Sequence, residues 1–476
     1  MSEPVRFLLN GTVREVGGLP PTTTVLDWLR ERARLTGTKE GCGEGDCGAC
    51  TIAVADAADG RLRWQAVNAC LMMLPQLDGR AVLTVEGLAA PDGPLHPVQA
   101  ALVETDGTQC GFCTPGFAMS LFAFQHGGEP ADDGLIHDAL AGNLCRCTGY
   151  RPIVEAAQRV AGKPDDGFAE PDLAAAVAAL GARGDFSAAG QAFHVPGSLD
   201  ALVGLYAANP DALLLAGGTD LGLLVSKERQ RLPAVILTAR VPALRRLRRA
   251  DGWLEIGAAV TYAEALPEIA ALWPSFGSLL RRLGSRQIRN LGTFGGNLGT
   301  ASPIGDTLPC LLALDARIVL RSADGVREVA ADDYFLGYRK TARAPGELIE
   351  AIRLPLPAAG EAFRAYKVSK RHDQDISAVV GAYRLRVADG TVADLRTAYG
   401  GMAATPKRAA VAEAALQGRP WTTASLSGID TAIAADFAPL SDHRAGAAYR
   451  QAVAANLLRR LQLDTTGTAP IEVAAL

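Results

Sequence analysis

Hydrophobic and polar positions alternate along both arms of residues 5–16, which turn at Asn10-Gly11. Asn-Gly between two alternating runs is a strong signal for a β-hairpin. Beyond Thr24 the segment VLDWLRERARL carries apolar residues at helical spacing. TIAVA at 51–55, RLRWQAV at 61–67 and AVLTVEGL at 81–88 are typical of strands. The pattern therefore predicts strands, one helix and more strands over the first 88 residues.

The pattern changes to helices after residue 96. The apolar segments VQAALVET, GFAMSLFAF, LIHDALA and IVEAAQRVA are separated by turns. Pro97, Pro115 and Pro152 stand where a first helical residue belongs, and Gly142 and Gly162 stand where a C′ glycine belongs. Four short helices without strands predict a small helical bundle.

The later parts of the chain contain both strand-like alternation and helical spacing of apolar residues. A helix is predicted over residues 199–208, followed by a buried strand at 212–216. GAYRLRVADGTVADLRTAYGG contains an Asp-Gly hairpin signal, and KRAAVAEAAL and HRAGAAYRQAVAANLLRRL are helical in pattern. Residues 163–191, rich in Ala, Gly and Asp, predict a linker with one short helix. The fold class predicted for the whole chain is multidomain α+β.

Composition narrows the possible functions. The chain has 476 residues, 49% hydrophobic and 21% charged, with a net charge of −4. A nearly neutral chain gives no electrostatic reason to bind nucleic acid or a membrane surface. The N-terminal residues lack a secretory signal and no apolar run is long enough to span a bilayer, so we expect a cytoplasmic protein. In a reducing compartment, nine cysteines suggest metal or redox chemistry.

Three of these cysteines stand in GCGEGDCGAC. Cys42, Cys47 and Cys50 have the spacing C-x4-C-x2-C, and Cys70 follows in NACLMML. This is the plant-type pattern for a [2Fe-2S] cluster, and glycines let such a loop wrap closely around inorganic sulfide. Structural zinc and disulfides are the alternatives, but zinc sites usually pair two C-x2-C arms. With the surrounding strands, the loop predicts a β-grasp ferredoxin domain.

Four further cysteines lie before two of the predicted helices. Cys110 and Cys113 occur in CGFCTPG, and Cys145 and Cys147 occur in CRCTGYRP. In extended backbone, residues two apart point the same way, so a C-x-C pair can offer two thiolates to one iron. Positive helix N-termini would help to hold a negative cluster. Zinc remains an alternative, but behind a ferredoxin domain a second [2Fe-2S] cluster is favoured. The ninth cysteine, Cys310 in LPCLLALDA, is predicted to be a buried core thiol.

Two glycine-rich loops lie in the middle of the chain. The strand at 212–216 runs into Gly217-Gly218, and a second loop contains Gly292 and Gly295-Gly296 before SPIGD. A strand that opens on a glycine turn can present backbone N–H groups to a phosphate. Each loop alone is a weak signal, because most glycine pairs after strands are plain turns. Together they suggest a dinucleotide phosphate site.

These motifs resemble the xanthine dehydrogenase family of molybdenum hydroxylases. CGFCTPG and CRCTGYRP behind GCGEGDCGAC are similar to its paired iron–sulfur domains. LLLAGGTDLG, RNLGTFGGNLGTASPIGD and YKVSKRHDQDISAV are similar to its FAD domain, of the vanillyl-alcohol oxidase type. The resemblance implies one [2Fe-2S] cluster on Cys42, Cys47, Cys50 and Cys70, and a second on Cys110, Cys113, Cys145 and Cys147.

The resemblance also implies FAD contacts. Leu214–Leu221 would line the pyrophosphate, Asp306 would bind ribityl or ribose hydroxyls, and the loop of His372, Asp373, Gln374 and Asp375 would lie beside the isoalloxazine. The complete set of implied FAD positions is Leu214, Leu215, Ala216, Gly217, Gly218, Thr219, Asp220, Leu221, Leu283, Ile288, Gly292, Thr293, Gly296, Asn297, Asp306, Leu348, Ile349 and Lys367. Leu283 stands where many relatives carry Phe.

Five segments follow from these assignments. They are a [2Fe-2S] ferredoxin-like domain (1–88), a helical [2Fe-2S] domain (89–162), a linker (163–191), an FAD domain (192–360) and a C-terminal α+β flavoprotein domain (361–476). No segment resembles the molybdopterin domain of the family. The resemblance therefore implies an iron–sulfur/FAD subunit that passes electrons from a molybdopterin-binding large subunit to NAD, in a heterotetramer of two small and two large chains.

Two other functions are compatible with the same residues. The substrate oxidised on the partner could be an aldehyde, carbon monoxide or an aromatic compound instead of a purine. The fusion of both iron–sulfur domains to the flavin domain, and the loop KRHDQDISAV, favour the purine enzyme. In a different class, the chain would be a zinc-binding assembly module without catalytic activity, whose glycine loops are only turns.

Overall fold

A computed structural model describes residues 3–90, 92–162, 170–181 and 184–467. The chain forms two compact units. The first unit runs to Val241 and also takes in Gly284–Gly292, whereas the second contains Pro242–Leu283 and everything from Thr293 on. The predicted FAD domain is therefore divided between the two units.

The helices and strands are numbered along the chain. The helices are α1 (Val25–Asp27), α2 (Pro97–Glu104), α3 (Thr114–His126), α4 (Asp133–Leu140), α5 (Arg151–Val160), α6 (Glu170–Leu180), α7 (Leu199–Ala208), α8 (Leu221–Ser226), α9 (Tyr262–Leu272), α10 (Pro274–Arg281), α11 (Arg286–Arg289), α12 (Phe294–Thr300), α13 (Leu308–Ala313), α14 (Ala331–Tyr334), α15 (Ala410–Leu416), α16 (Ile429–Asp436) and α17 (Ala447–Thr466). The strands are β1 (Val5–Leu9), β2 (Thr12–Val16), β3 (Thr51–Ala58), β4 (Arg61–Asn68), β5 (Ala81–Leu83), β6 (Phe186–Ala188), β7 (Gln191–His194), β8 (Leu213–Leu215), β9 (Ala234–Leu237), β10 (Leu247–Ala250), β11 (Trp253–Gly257), β12 (Arg317–Ser322), β13 (Gly325–Ala330), β14 (Phe335–Gly337), β15 (Lys340–Thr341), β16 (Leu348–Pro355), β17 (Glu361–Val368), β18 (Val379–Ala388), β19 (Thr391–Gly400) and β20 (Lys407–Arg408).

The first unit begins with a mixed five-stranded sheet in the order β2-β1-β5-β3-β4. The predicted hairpin is confirmed, and Asn10 and Gly11 both have positive φ, as a tight primed turn requires. The helix predicted beyond Thr24 begins as α1, which Thr24 caps, and it continues as a π-helical turn over Trp28–Arg32. The strand predicted at 81–88 ends at Leu83, because the chain then turns into a 3₁₀ helix.

The four predicted helices of the next segment are confirmed as α2 to α5, which share one apolar core with a face of the sheet. Gly162 has the positive φ of a C′ glycine. Gly142 also stands at the predicted C′ position, directly after the C-cap residue Ala141, but its φ is not positive. A Cβ at Gly142 would lie 1.9 Å from Oε1 of Gln287, so close packing explains this glycine.

The rest of the first unit carries α6 and the start of the flavin region. Within the predicted linker, residues 163–169, 182 and 183 lie outside the described residues. The expected helix is α6, whose Ala174, Val177 and Leu180 are buried in the core shared by the sheet and α2 to α5. Strand β6 also falls within the predicted linker, and it joins a sheet in the order β6-β7-β9-β8.

Two sheets form the framework of the second unit. Five strands in the order β10-β11-β16-β12-β13 pack with α9, α10, α12 and α13 around one core, and β17-β18-β19-β20 form an antiparallel sheet with α15 to α17. Cys310 is fully buried in α13, as predicted. Burial raises the pKa of its thiol well above the usual value. Across the described ranges, no helix combines the length and apolar character needed to cross a bilayer.

Candidate iron–sulfur and flavin sites

The first cysteine loop surrounds its sulfur atoms with backbone amides. The N–H groups of Glu44, Asp46 and Cys47 point at Sγ of Cys42, with N···S distances of 3.4, 3.4 and 3.3 Å. The N–H group of Cys42 in turn donates to Sγ of Cys47 at 3.2 Å. Because amide hydrogen bonds stabilise thiolate sulfur, this loop is built to hold negative charge.

Glycines make the close wrapping of this loop possible. Gly43, Gly45 and Gly48 all have positive φ, between 65° and 79°. A Cβ at Gly45 would lie 2.5 Å from the side chain of Leu71, and one at Gly48 would lie 2.0 Å from the carbonyl of Gly142. Any larger residue at these two positions would push the loop away from its neighbours.

The four cysteines of the first set approach one another in two pairs. A hydrogen bond from the Cys47 thiol lowers the pKa of Cys42 to about 5 and raises that of Cys47. Cys50 and Cys70 form the second pair, in which their mutual hydrogen bond lowers the pKa of Cys50 and raises that of Cys70. Each pair thus favours one thiolate, the form of cysteine that binds metal.

The second set of cysteines forms pairs in the same way. Cys110 pairs with Cys147, and Cys113 pairs with Cys145. The two cysteines of the C-x-C motif thus fall in different pairs, contrary to the expectation that they would supply one iron together. Cys113 is the N-cap residue of α3. The N–H group and the hydroxyl of Thr148 lie 3.5 and 3.2 Å from Sγ of Cys145.

Both sets fit a two-iron cluster. In the described part of the chain, no three His, Cys, Asp or Glu side chains converge on one ion position, whereas the cysteines come together two by two. A [2Fe-2S] cluster takes two thiolates on each of its irons, so two pairs per set match its donor arrangement. None of the nine cysteines is in a disulfide.

The two sets differ in exposure. Cys50 and Cys70 are buried, with 2% of their surface exposed. Cys110 and Cys147 are exposed. Three large side chains in or next to the second set are also exposed: Phe112 at 48%, Leu144 at 40% and Tyr150 at 39%.

Residues predicted to bind FAD occur in both units. Leu214–Leu221, Ile288 and Gly292 belong to the first unit, and all the others belong to the second. In the first unit, β8 ends at Leu215 and the chain turns through Gly217 and Gly218 into α8. A Cβ at Gly217 would lie 1.7 Å from the carbonyl of Leu291, so this turn also requires glycine for packing.

The glycine turn of the first unit packs against the segment after Cys70. A Cβ at Gly222 would lie 2.5 Å from the carbonyl oxygen of Leu71, which follows Cys70 directly. Ile288 lies close to the first cysteine loop, since a Cβ at Gly45 would lie 3.1 Å from the Cδ1 atom of Ile288. The flavin part of the first unit and the first cysteine set are therefore in backbone contact.

In the second unit, the other glycine loop is held from both sides. Thr293 caps α12 by accepting from the N–H of Gly296 at 2.9 Å, and Asn297 Oδ1 accepts from the Thr307 hydroxyl at 2.5 Å. A Cβ at Gly295 would lie 2.5 Å from the carbonyl of Ala258. Leu348 and Ile349 are buried in β16, and Leu283 packs on the same core.

Asp306 and Lys367 form a buried ion pair in the second unit. Lys367 Nζ lies 2.6 Å from Oδ2 of Asp306, and the Ser377 hydroxyl donates to Oδ1 at 2.6 Å. All three residues are less than 9% exposed. The sequence prediction named Asp306 and Lys367 but missed Ser377, although this serine lies in the quoted segment YKVSKRHDQDISAV.

The predicted flavin-side loop has a fixed backbone and partly exposed side chains. Arg282 donates to the carbonyl of His372 at 3.2 Å, and Gln374 has a positive φ of 49°. Burial acts to raise the pKa of Asp375, but the amide and guanidinium of Arg371 outweigh it and lower this pKa. At neutral pH the loop therefore carries a stable carboxylate.

Four protein-family models match the chain in order. They are a 2Fe-2S iron-sulfur cluster binding domain (7–74), a [2Fe-2S] binding domain (84–158), an FAD binding domain in molybdopterin dehydrogenase (185–357) and a CO dehydrogenase flavoprotein C-terminal domain (364–465). The chain is thus an iron–sulfur flavoprotein with two [2Fe-2S] domains and one FAD-binding domain, and the predicted multidomain α+β fold is confirmed.

Similar proteins include enzymes with different substrates. Xanthine dehydrogenase of Emericella nidulans is 32% identical over 97% of this chain and 38% of its own length. Aldehyde oxidase 2 of Cavia porcellus is 32% identical over 89% of this chain and 37% of its own length. A chain of carbon monoxide dehydrogenase from Hydrogenophaga pseudoflava superposes with a TM-score of 0.54 and 31% identity, covering 56% of this chain and 94% of that one.

This chain belongs to the molybdenum hydroxylase family and contains the iron–sulfur and FAD domains of that family. It spans less than two fifths of the length of the two curated relatives named above. The resemblance noted from the cysteine and glycine motifs is therefore confirmed at the level of the family.

Proposed function

We propose that this chain is the iron–sulfur/FAD electron-transfer subunit of a xanthine dehydrogenase. Electrons released when a partner subunit hydroxylates hypoxanthine and xanthine to urate would pass through this chain to NAD. The observation that carries the proposal is the pairing of two complete cysteine sets within one compact unit that also contains a glycine turn of the FAD domain. Bound [2Fe-2S] clusters would transfer single electrons, and bound FAD would supply hydride chemistry.

Differences in exposure support an order for the transfer. Cys110 and Cys147 are at the surface and would face the molybdenum centre of the partner. Cys50 and Cys70 are buried, and Leu71 beside them contacts the backbone of Gly222 in the FAD-binding region. Electrons would therefore enter at the second cysteine set and leave from the first.

Within each unit, particular residues would hold the cofactor. In the first unit, the backbone of Gly217–Leu221 would bind phosphate oxygen atoms of FAD through N–H groups. In the second unit, the buried pair of Asp306 and Lys367 would offer a carboxylate to hydroxyl groups and an ammonium to a cofactor oxygen. The loop from His372 to Asp375 would tune the flavin by its charge.

The substrate proposal depends on the partner, because the purine pocket would lie there. Xanthine dehydrogenase and aldehyde oxidase relatives are equally similar to this chain, at 32% identity. The sequence of the loop around His372 favours the purine enzyme. An aldehyde, carbon monoxide or aromatic hydroxylase is the second candidate, with the same role for this chain. We also expect a cytoplasmic complex with two copies of each subunit.

The first experiment uses the chain expressed alone. It should contain about four irons and one flavin, show [2Fe-2S] absorption and oxidise NADH with an artificial acceptor. It should not oxidise hypoxanthine without a partner. Purine oxidation by the isolated chain would contradict the proposed division of functions, and zinc without yellow colour would favour the assembly module.

The second experiment identifies the substrate. The native complex would be purified through a tag on this chain, and NAD reduction would be measured with xanthine, an aldehyde, carbon monoxide and quinoline. The xanthine proposal requires the purine to give the highest kcat/KM. A higher value for another substrate would replace xanthine and leave the electron-transfer role intact.

A further inference from the structure

A buried glutamine, Gln287, connects the two iron–sulfur domains inside the first unit. It lies in α11, and its side chain is fully buried. Nε2 of Gln287 is 3.0 Å from Oδ1 of Asn143, 3.1 Å from the Ser120 hydroxyl and 3.3 Å from the Thr51 hydroxyl. Thr51 belongs to the ferredoxin domain, and the other two acceptors belong to the helical domain.

Asn143 extends this network to the first cysteine loop. Its Nδ2 group donates to the carbonyl of Gly48 at 3.0 Å and to the Thr51 hydroxyl at 3.2 Å. Its Oδ1 atom accepts from the Ser120 hydroxyl at 2.6 Å. Gly48 stands between two predicted cluster ligands, Cys47 and Cys50.

The backbone of the second cysteine loop joins the same junction. The N–H group of Leu144, the residue before Cys145, donates to the carbonyl of Cys47 at 3.0 Å. A Cβ at Gly142 would lie 1.9 Å from Oε1 of Gln287, and a Cβ at Gly48 would lie 2.0 Å from the carbonyl of Gly142. The two cysteine loops and the glutamine are therefore in direct contact, without space for an added methyl group.

Charged neighbours fix α11 against the helical domain. Arg286 pairs with Asp138 at 2.8 Å and also with Glu129, and Arg289 pairs with Asp138 as well. Asn290 donates to the carbonyl of Ala66 in β4 at 2.9 Å. This segment of the FAD region thus holds both iron–sulfur domains at once, with Gln287 between them.

We infer that Gln287 is a positioning residue that sets the separation of the two cysteine loops, and with it the separation of the two clusters. The inference rests on the proposed function, because it requires clusters on both cysteine sets. A buried hydrogen-bonded network favours one arrangement of the groups it joins. Electron transfer between two centres falls steeply with distance, so a fixed separation matters for transfer. The hydrogen bonds of Gln287 go to Thr51, Ser120 and Asn143 and not to a cysteine, so it would act through the loops.

The test compares Gln287→Met with the control Gln191→Met in the full chain. Methionine keeps the length of the side chain and removes the amide, so folding is preserved better than with alanine. Gln191 is also buried in the first unit, and it bonds to the Thr22 hydroxyl and to the carbonyl of Leu232, both at 3.1 Å. Any general cost of losing a buried amide should therefore appear in both variants.

Pulsed dipolar EPR of the dithionite-reduced chain measures the distance between the two reduced clusters. We expect one narrow distance in the native chain and in Gln191→Met, and a broadened or longer distance in Gln287→Met with both cluster signals retained. Hydrogen exchange should rise at 47–51 and 142–145 only in Gln287→Met.

An unchanged distance in Gln287→Met would overturn the inference and leave the proposed function intact. Equal broadening of the distance in Gln191→Met would also overturn the inference, since general destabilisation would then be enough to explain the effect of Gln287→Met. Absence of two cluster signals from the native chain would contradict the proposed function itself.

Discussion

The two cysteine sets share their pairing but differ in their surroundings. In the first set, Cys50 and Cys70 are buried and the next residue, Leu71, packs against the glycine turn of the flavin region. In the second set, Cys110 and Cys147 are exposed, and apolar side chains such as Phe112 are exposed with them. The most buried ligands thus lie in the first set and the most exposed ones in the second, and each set also has two cysteines of intermediate exposure. Under the proposed function, the first set would suit internal relay and the second set would suit exchange with a partner.

The largest effect is expected from removing one ligand of each set. Cys70→Ala should lose about half of the iron and the signal of the first cluster, and it should also lower the unfolding temperature, because Cys70 is buried in a core. Cys147→Ala should lose the other half of the iron with little change in unfolding temperature. Iron analysis, EPR and thermal unfolding measure these effects. If both variants unfold alike, the difference in surroundings has no energetic consequence.

A smaller effect is expected where the flavin region covers the first set. Gly222→Ala places a methyl group 2.5 Å from the carbonyl oxygen of Leu71, and such overpacking should cost about 1–3 kcal/mol and reduce the FAD content. Gly204→Ala in α7 is the matched control, since no atom lies within 4 Å of its Cβ position. It should stabilise the chain by about 0.5–1 kcal/mol. Denaturation curves measure the free energy of unfolding, and flavin absorbance measures the FAD content. A Gly222→Ala variant with unchanged stability and FAD content would contradict the close contact.

The exposed second set should be sensitive to changes at its apolar surface. Phe112→Ser should weaken binding of the proposed molybdenum subunit about tenfold, because buried aromatic side chains dominate interface energies. NADH oxidation by the isolated chain should not change. The control is Val13→Ser, which alters a similarly exposed side chain on β2, at 45% against 48% exposure. Titrating each variant with the partner gives its dissociation constant. Equal constants for Phe112→Ser and Val13→Ser would show that Phe112 is not part of the interface.

The smallest effect concerns charge beside the first set. Lys227 Nζ lies 3.1 Å from the carbonyl of Cys42 and 3.1 Å from Glu44, and both side chains are about half exposed. Lys227→Met should lower the reduction potential of the first cluster by at most about 40 mV, because an exposed charge is worth about 1 kcal/mol or less. Glu44→Gln should raise it. A redox titration monitored by EPR measures the reduction potential in both variants. If the potential of the second cluster shifts instead, the two EPR signals must be assigned to the clusters in the opposite order.

Much of the secondary structure could be predicted from local sequence. The hairpin at Asn10-Gly11 and the helices α2 to α5 and α7 follow from the periodicity of apolar residues and from turn residues. The basic run at 245–249, with Leu244 and Leu247 beside its arginines, by itself predicts one solvated helix face. This prediction is wrong from Leu247 on, because Leu247–Ala250 form the edge strand β10, whose Arg248 pairs with Glu255 of β11, and only Pro242–Arg245 form a 3₁₀ turn. An edge strand with one solvated face can carry the same alternation of arginine and leucine that suggests a helix.

The sequence by itself determined the two sets of four thiol donors, because ligand spacing is a property of neighbouring residues. It also determined the family, through motifs of the same local kind. Only the tertiary structure decided which cysteines are buried, why Gly142 must be glycine, and that Ser377 and Gln287 take part in the two networks. Gln287 and Thr51 are 236 positions apart, and Ser377 and Asp306 are 71 apart. Contacts over such separations depend on how the domains pack, and no local periodicity encodes them.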